Sequence, residues 1–418
     1  MTMLTRRAAI GATTALLAAA PRGVFAQGAS APEVRKATLG YIALTDAAPL
    51  IIAKEKGFFT KHGMPDVDVA KQASWGATRD NLVLGGASGG IDGAHLLTPM
   101  AYLIHTGRIV QNNQPVPMAL LARLNTNGQA ISVAEKHKAL GARLDAGPLR
   151  RALNSDSKVA MTFRGGTHDL WIRYWLAAAG IDPERDVQTI VVPPPQMVAN
   201  MRVGTMDAFC VGEPWNGQLV NQRLGYTALT TGEFWKDHPE KCLALRASFV
   251  QQNPRATEAL TAAVIEAARW CDEAANKEEM CTILGRRAWL NVPVPDILPR
   301  VRGEVDYGDG RRVTNPDIAM KFWRDHASYP FRSHDLWFLT EDIRWGVFPE
   351  GTDTNALVAQ VNREDIWRAA AERAGVRAAE TPRGTSRGRE TFFDGKVFDP
   401  ENPAAYLNSL AIKKMTGA

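Results

Sequence analysis

The chain has 418 residues, of which 45% are hydrophobic and 22% charged, and its 49 Lys and Arg residues against 44 Asp and Glu residues give a net charge of +5. This balance gives no indication of nucleic-acid binding, which needs a concentrated basic surface. The length and ordinary composition predict two or more globular units with substantial hydrophobic cores.

The N-terminal residues have the pattern of an export signal. Arg6 and Arg7 precede an apolar run over 8–20, and 24–26 fits a small-x-small cleavage site, so 1–26 is predicted to be a signal of the twin-arginine type. An ordinary secretory signal is the alternative. Loss of this segment removes three arginines and leaves a net charge of about +2. No later stretch has the roughly 18 apolar residues of a membrane helix, so we expect a soluble exported chain.

Short apolar runs alternate with helical patterns through the first half of the chain. The first group has the order strand, helix, strand, helix, at 37–44, 48–56, 67–70 and 76–84. The same alternation returns after Asn125, at 130–133, 159–163, 169–179, 189–192, 196–203 and 207–211. Two α/β units are therefore predicted.

The segment 158–180 predicts a strand, a glycine turn at Gly165 and Gly166, and a helix that ends at Gly180. Free N–H groups and the dipole at a helix start favour an anion, and glycines allow it to approach closely. His168 lies at this start, where it can donate to an oxyanion. The alternative is that His168 only caps the helix.

A third region, from Asn253 to about Val376, is predicted to be mostly helical. Asn253 and Pro254 form a typical helix start, and apolar residues at 260, 264, 268 and 271 mark one buried face. We expect the tryptophans of this region to pack in a core and the last forty or so residues to wrap the surface.

The sequence contains no familiar catalytic or cofactor motif. The glycine-rich segment 84–90 lacks the Lys-Ser/Thr of a phosphate loop, and neither G-x-S-x-G nor H-E-x-x-H occurs. A metal site built on His168, Asp169 and Glu213 is an alternative, but these residues lack a ligand spacing. We predict that the protein is not an enzyme and holds no cofactor or metal.

The four cysteines are separated by spacings that fit neither a zinc site nor a redox motif. We expect buried free thiols, with a Cys271–Cys281 bridge as the alternative. The four are Cys210, Cys242, Cys271 and Cys281.

Several segments together resemble the nitrate/nitrite- and bicarbonate-binding components of ABC importers. They are Lys71-Gln-Ala-Ser-Trp75, 90–100, Phe163-Arg-Gly-Gly-Thr-His168 with 169–175, Asp207-Ala-Phe-Cys-Val-Gly-Glu-Pro-Trp-Asn216 and 392–399. The resemblance implies a two-lobed α/β periplasmic binding protein of type II-like architecture, with a hinge and a helical C-terminal extension. It further implies a periplasmic monomer that delivers a small inorganic anion, nitrate or nitrite, to an ABC permease in the inner membrane.

The resemblance also implies the ligand-binding residues. Nitrate-binding members use a tryptophan, a glutamine, a histidine after glycine and a lysine, and the matching positions are Trp75, Gln129, His168 and Lys241. Gly165 and Gly166, in the glycine turn before the helix start that favours an anion, complete the predicted site. A flat, weakly basic anion needs N–H donors in its plane, an apolar wall and one cation, and we give Lys241 the greatest weight because an unpaired charge in a closed cleft is costly.

The neighbouring Glu240 leaves a second ligand open. Related bicarbonate binders carry a carboxylate in place of the lysine and use calcium, so a shift of one residue would exchange the two readings. A nitrate sensor that engages a regulatory partner is a third alternative.

The chain crosses between lobes near 124–127 and 243–245, so we expect lobe one to comprise 36–123 plus 246–418 and lobe two 124–245. The sequence does not distinguish nitrate from nitrite.

Overall fold

The computed structural model describes residues 31–415. The predicted export signal, 1–26, lies outside this range. None of the helices within it combines the length and apolar character that crossing a bilayer requires.

Strands in the described range form two five-stranded mixed sheets and two short hairpins. In chain order the strands are β1 (Lys36–Tyr41), β2 (Asp66–Lys71), β3 (Gly93–Leu97), β4 (Met118–Arg123), β5 (Gln129–Ala134), β6 (Lys158–Met161), β7 (Gln188–Val191), β8 (Ala208–Gly212), β9 (Gly225–Thr230), β10 (Lys241–Arg246), β11 (Glu304–Asp306), β12 (Arg312–Thr314), β13 (Glu390–Thr391) and β14 (Val397–Phe398). The first sheet has the order β2-β1-β3-β10-β4 and the second β7-β6-β8-β5-β9.

The two sheets share one plan. Three parallel strands lie at one side of each, β2-β1-β3 in the first and β7-β6-β8 in the second. The fourth strand, β10 or β5, runs antiparallel to both its neighbours. Because β5 follows the outward crossing of the chain and β10 the return crossing, each sheet incorporates the strand that arrives from the other.

Helices cover the sheets and build the C-terminal region. They are α1 (Ala48–Glu55), α2 (Phe58–Lys61), α3 (Trp75–Leu84), α4 (Thr98–His105), α5 (Thr167–Ala178), α6 (Met197–Arg202), α7 (Trp215–Asn221), α8 (Thr231–Phe234), α9 (Ala247–Gln252), α10 (Pro254–Asp272), α11 (Lys277–Gly285), α12 (Val294–Arg302), α13 (Arg332–Arg344), α14 (Thr354–Val361), α15 (Glu364–Arg373) and α16 (Pro403–Ser409). α10 starts at Pro254 after Asn253 and buries the predicted apolar face.

The aromatic side chains of the C-terminal region join the hydrophobic core that includes α5, where Trp337 stacks on Trp171 with ring centroids 4.7 Å apart. Trp289, Trp337, Trp345 and Trp367 are buried, as predicted, and Trp270 and Trp323 are partly exposed but pack against the same core. All four cysteines are buried and free, which confirms the expectation of unbridged thiols.

The two crossings between the sheets lie side by side. The Leu124 N–H donates to the Lys241 carbonyl (2.8 Å) and the Asn127 N–H to the His238 carbonyl (3.1 Å). Thr126 pairs through its backbone with Lys321 of the C-terminal region. β10 itself is paired within the first sheet. The residue limits of the two lobes stay a prediction.

Candidate functional site

The first turn of α5 forms one wall of the site. The helix starts at Thr167, two residues before the predicted start, after Gly165 with a φ of +71°. The Gly165 N–H donates to the Asp169 carboxylate (2.9 Å) and the Gly166 N–H to the Phe163 carbonyl (3.0 Å). These two N–H groups are engaged within the chain, and their contact with an anion stays a prediction.

His168 projects from this turn into the interior and is fully buried. Its Nε2 lies 2.7 Å from Gln129 Oε1, and its Nδ1 lies 2.5 Å from the Thr162 hydroxyl. A carbonyl oxygen only accepts, so Nε2 carries the proton and Thr162 donates to Nδ1. Burial, and then the charge of Lys241, hold the pKa of His168 well below its usual value. The imidazole is therefore a neutral donor.

Lys241 begins β10 and is completely buried. Its Nζ lies 3.0 Å from Asp46 Oδ2, 2.8 Å from Glu240 Oε1 and 3.5 Å from His168 Nε2. Burial alone lowers the pKa of Lys241, but the carboxylates of Asp46 and Glu240 outweigh it and raise that pKa above the usual value. The ammonium group therefore stays charged inside the protein.

Asp46 joins the two sheets at this point. It lies in a short turn after β1, and its Oδ2 accepts from Gln129 Nε2 (3.1 Å) while its Oδ1 lies 2.7 Å from His95 Nε2. Burial opposes ionisation, but Lys241 and His95 hold the pKa of Asp46 well below its usual value. The His95 Nδ1 faces the Ile42 N–H at 3.5 Å, so its proton lies on Nε2 and points to Asp46.

Glu240 is buried beside Lys241 and turns toward α5. It accepts from the Trp171 indole N–H (2.8 Å) and from the Thr167 hydroxyl. Burial raises the pKa of Glu240 above its usual value despite the adjacent Lys241. From the sequence, Glu240 and Lys241 were alternatives for one position in the site. The structure places both side chains in the same site.

Trp75, the first residue of α3, is 1% exposed. Lys241 Nζ lies 5.9 Å from the centre of its ring, and the His95 ring lies 5.4 Å from it. Within the described residues its indole N–H has no hydrogen-bond partner. A buried donor without a partner costs about 1–3 kcal/mol, so this N–H is suited to an acceptor that the chain does not supply.

The structure brings four predicted residues, Trp75, Gln129, His168 and Lys241, into one buried group, and adds three more to it. We call the group the site cluster: Asp46, Trp75, His95, Gln129, His168, Glu240 and Lys241. Sequence reasoning missed Asp46 and His95. The position of Asp46 just after the carboxyl end of a parallel strand was a usable signal, because ligands of α/β proteins gather there. His95, inside a buried strand, gave none.

The proposed metal ligands do not converge. Glu213 pairs with Arg300 (2.7 Å), and Asp169 with Arg173 (2.5 Å). In residues 31–415 no group of three or more His, Cys, Asp or Glu side chains is arranged to hold a metal ion. Segment 84–90 forms a tight turn around Gly86–Ser88.

Two mixed sheets joined by paired crossings, with a buried polar cluster between them, define a solute-binding protein of the periplasmic binding class. This chain belongs to the NMT1-like family, whose sequence pattern matches residues 30–285. The resemblance read from the sequence is confirmed.

Three relatives are informative, one of them both by its sequence and by its crystal structure. The nitrate/nitrite binding protein NrtA of Synechocystis sp. (strain PCC 6803) is 61% identical over 392 residues, 93% of this chain and 88% of that protein. The crystal structure of the periplasmic nitrate-binding protein NrtA from Synechocystis PCC 6803 matches with a TM-score of 0.90, covering 92% of this chain and 100% of that chain. The bicarbonate-binding protein CmpA of Synechococcus elongatus is 46% identical, covering 93% of this chain and 89% of that protein. The nitrate import ATP-binding protein NrtC of Synechocystis is 33% identical, covering 93% of this chain and 57% of that protein.

Proposed function

We propose that this protein captures nitrate or nitrite in the periplasm and delivers it to an ABC importer. The observation that supports this most strongly is the buried Lys241 ammonium beside the unpaired Trp75 N–H, with the neutral donors His168 and Gln129 facing them from the second sheet. The similarity to NrtA and to part of NrtC supports the same function.

The site cluster suits a small, flat, singly charged oxyanion. Lys241 supplies a cation, Trp75 supplies an N–H donor without a partner among the described residues, and the indole ring supplies a flat wall. The His168 Nε2–H donates to Gln129 Oε1 in this structure and would serve the anion by exchanging that acceptor for it. Each donor points into a buried region, where hydrogen bonds to a charged acceptor are stronger than in water. The similarity to relatives named as binding proteins supports binding rather than catalysis as the role.

Delivery follows from closure of the two lobes. An anion held by Lys241 of the first sheet and by His168 and Gln129 of the second stabilises the closed form, and a permease in the inner membrane recognises that form. The binding protein acts as a monomer. A dissociation constant of about 1 μM, roughly −8 kcal/mol, suffices for scavenging.

A calorimetric panel tests the proposal. Purified protein without the signal is titrated with nitrate, nitrite, chloride, and bicarbonate with and without calcium. We expect saturable heats for nitrate or nitrite with roughly micromolar affinity and none for chloride. Absence of nitrate and nitrite binding would refute the proposal.

A bicarbonate binder is the second candidate, because Glu240 presents a carboxylate within the site cluster. Bicarbonate carries an O–H that can donate to a carboxylate, which nitrate lacks. The same panel decides: calcium-dependent bicarbonate heats without nitrate heats would favour this candidate.

A further inference from the structure

The Asp46 carboxylate occupies hydrogen-bond donors that the proposed anion needs. Its Oδ2 lies 3.0 Å from Lys241 Nζ and 3.1 Å from Gln129 Nε2. Its Oδ1 lies 2.7 Å from His95 Nε2. All four side chains are at most 1% exposed.

A carboxylate resembles nitrate in the properties that such donors detect. Both are planar, carry one negative charge and accept hydrogen bonds in their plane through oxygens. Asp46 also connects the two sheets as the anion is expected to do, since Lys241 belongs to the first sheet and Gln129 to the second.

The backbone of the turn that carries Asp46 bonds to the segment that links β8 of the second sheet to α7. The Thr45 N–H donates to the Glu213 carbonyl (2.8 Å), and the Trp215 indole N–H donates to the Ala43 carbonyl (3.1 Å). These two contacts place the turn beside Gln129, so that the Asp46 carboxylate reaches it.

The charges around Lys241 determine how a further anion can bind. Two carboxylates, Asp46 and Glu240, already flank the single ammonium of Lys241. A third negative charge in this buried place is unfavourable unless one carboxylate gives up its contact with Lys241. Glu240 has further donors in Trp171 and Thr167, whereas the contacts of Asp46 with Lys241 and Gln129 are those nitrate needs.

We propose that Asp46 is an internal surrogate of the ligand, which holds Lys241 and Gln129 across the cleft and competes with the incoming anion for both. This inference rests on the proposed function. It makes closure without ligand part of the protein's equilibrium, so the apparent affinity is lower than the donors alone would give.

Asp46→Asn tests the competition. Asparagine keeps the size and can still accept from His95, but it has no charge, while Glu240 remains to hold Lys241 protonated. We expect the variant to bind nitrate about tenfold more tightly at neutral pH, measured by calorimetry. Unchanged or weaker binding would overturn the proposal.

A second measurement separates competition from simple repulsion. Small-angle scattering without nitrate should show the variant more open than the wild-type protein, and saturating nitrate should make the two alike. Tighter binding with identical scattering would mean that Asp46 only repels the anion, and would also overturn the proposal.

Asp207→Asn is the matched control. Asp207 is another buried aspartate paired with a histidine, since its Oδ1 lies 2.8 Å from His137 Nε2, and it lies outside the site cluster. We expect it to leave the nitrate dissociation constant unchanged. If the wild-type protein gives no nitrate heat, the proposed function itself fails. If it binds nitrate and Asp46→Asn changes nothing, only the surrogate role fails.

Discussion

The part of the site cluster on the first sheet carries charge, whereas the part on the second sheet is neutral. Asp46 and Lys241 stand on the first sheet and remain ionised against one another. Gln129 and His168 stand on or beside the second sheet, and burial keeps the imidazole uncharged. Glu240 lies at the crossing between them.

The difference assigns separate tasks to the two parts. The Lys241 ammonium of the charged part can compensate the charge of an anion but cannot orient it, because a Coulomb attraction has little directional preference. The neutral part orients it through short hydrogen bonds that act only within about 3 Å. Both contribute only when the sheets close on the ligand, which couples binding to conformation.

Loss of the cation should have the largest effect. Lys241→Gln removes the charge that compensates the anion and leaves Asp46 and Glu240 facing each other, so we expect nitrate affinity to fall by at least about 100-fold. Lys321→Gln is the matched control, because Lys321 is also buried between two carboxylates, Asp237 and Asp325. Calorimetry should show the loss only for Lys241; similar losses in both variants would indicate general destabilisation.

Acid should affect the neutral groups before the ion pair. Burial lowers the pKa of four histidines, His95, His168, His238 (to about 3) and His334. Below about pH 6.5 these histidines bind protons in the unfolded chain but stay neutral in the folded chain. As the pH falls further, the free energy of unfolding should therefore decrease by up to about 1.4 kcal/mol per pH unit for each histidine.

Urea denaturation between pH 7.5 and 4.5 measures this slope. His334→Leu, at a histidine whose ring nitrogens have no hydrogen-bond partner in residues 31–415, should make the slope shallower by one proton. A stability that does not change over this range contradicts the assignment of neutral imidazoles.

Loss of a neutral donor should cost less than loss of the cation. Gln129→Met removes the one hydrogen bond that Gln129 Nε2 is expected to donate to nitrate, worth about 1 kcal/mol, so we expect nitrate affinity to fall about fivefold. Gln72→Met is the control, since Gln72 is a buried glutamine bonded to Ala70 and Asn81 near the edge of the first sheet. A loss at Gln129 as large as at Lys241 would remove the distinction between the two parts.

The smallest effect is expected at Trp75. Trp75→Phe keeps the flat wall but removes the unpaired N–H, so nitrate affinity should fall about threefold while stability stays equal or rises. Trp175→Phe should leave nitrate affinity unchanged and lower stability, because its N–H donates to the Arg143 and Leu144 carbonyls. Calorimetry and thermal unfolding of both variants check this crossed pattern; a stability loss at Trp75 equal to that at Trp175 contradicts it.

Much of the fold could be predicted because its signals are local. The glycine stop at Gly180, with a φ of +75°, and the start of α10 at Pro254 follow from residue chemistry alone. The ten strand and helix positions predicted between 37 and 211 agree with the structure to within a few residues, whereas β3, β4, β9, α4 and α7 were not among them. The pairing of β10 and β5 inside their sheets could not be read this way, because it depends on contacts between distant segments.

The site could be predicted only in part, and for a physical reason. His168 was marked by its place at a helix start, whereas Gln129 and Lys241 needed the family resemblance. The hydrogen bonds of Asp46 to His95 and Gln129 span 49 and 83 positions, and no periodic pattern encodes such meetings. Hydropathy in particular does not show that a charged residue is buried, because its burial depends on a partner far away in the sequence.

The four free thiols give each part of the molecule its own chemical reporter. Cys210 lies in β8 and Cys242 in β10, one in each sheet, while Cys271 and Cys281 lie in the C-terminal helices. Burial raises the pKa of every one of them, that of Cys242 and Cys281 to about 12. A thiol reagent at neutral pH therefore reacts only when a segment opens. The order in which the cysteines are labelled then shows which part of the native protein undergoes local unfolding most readily.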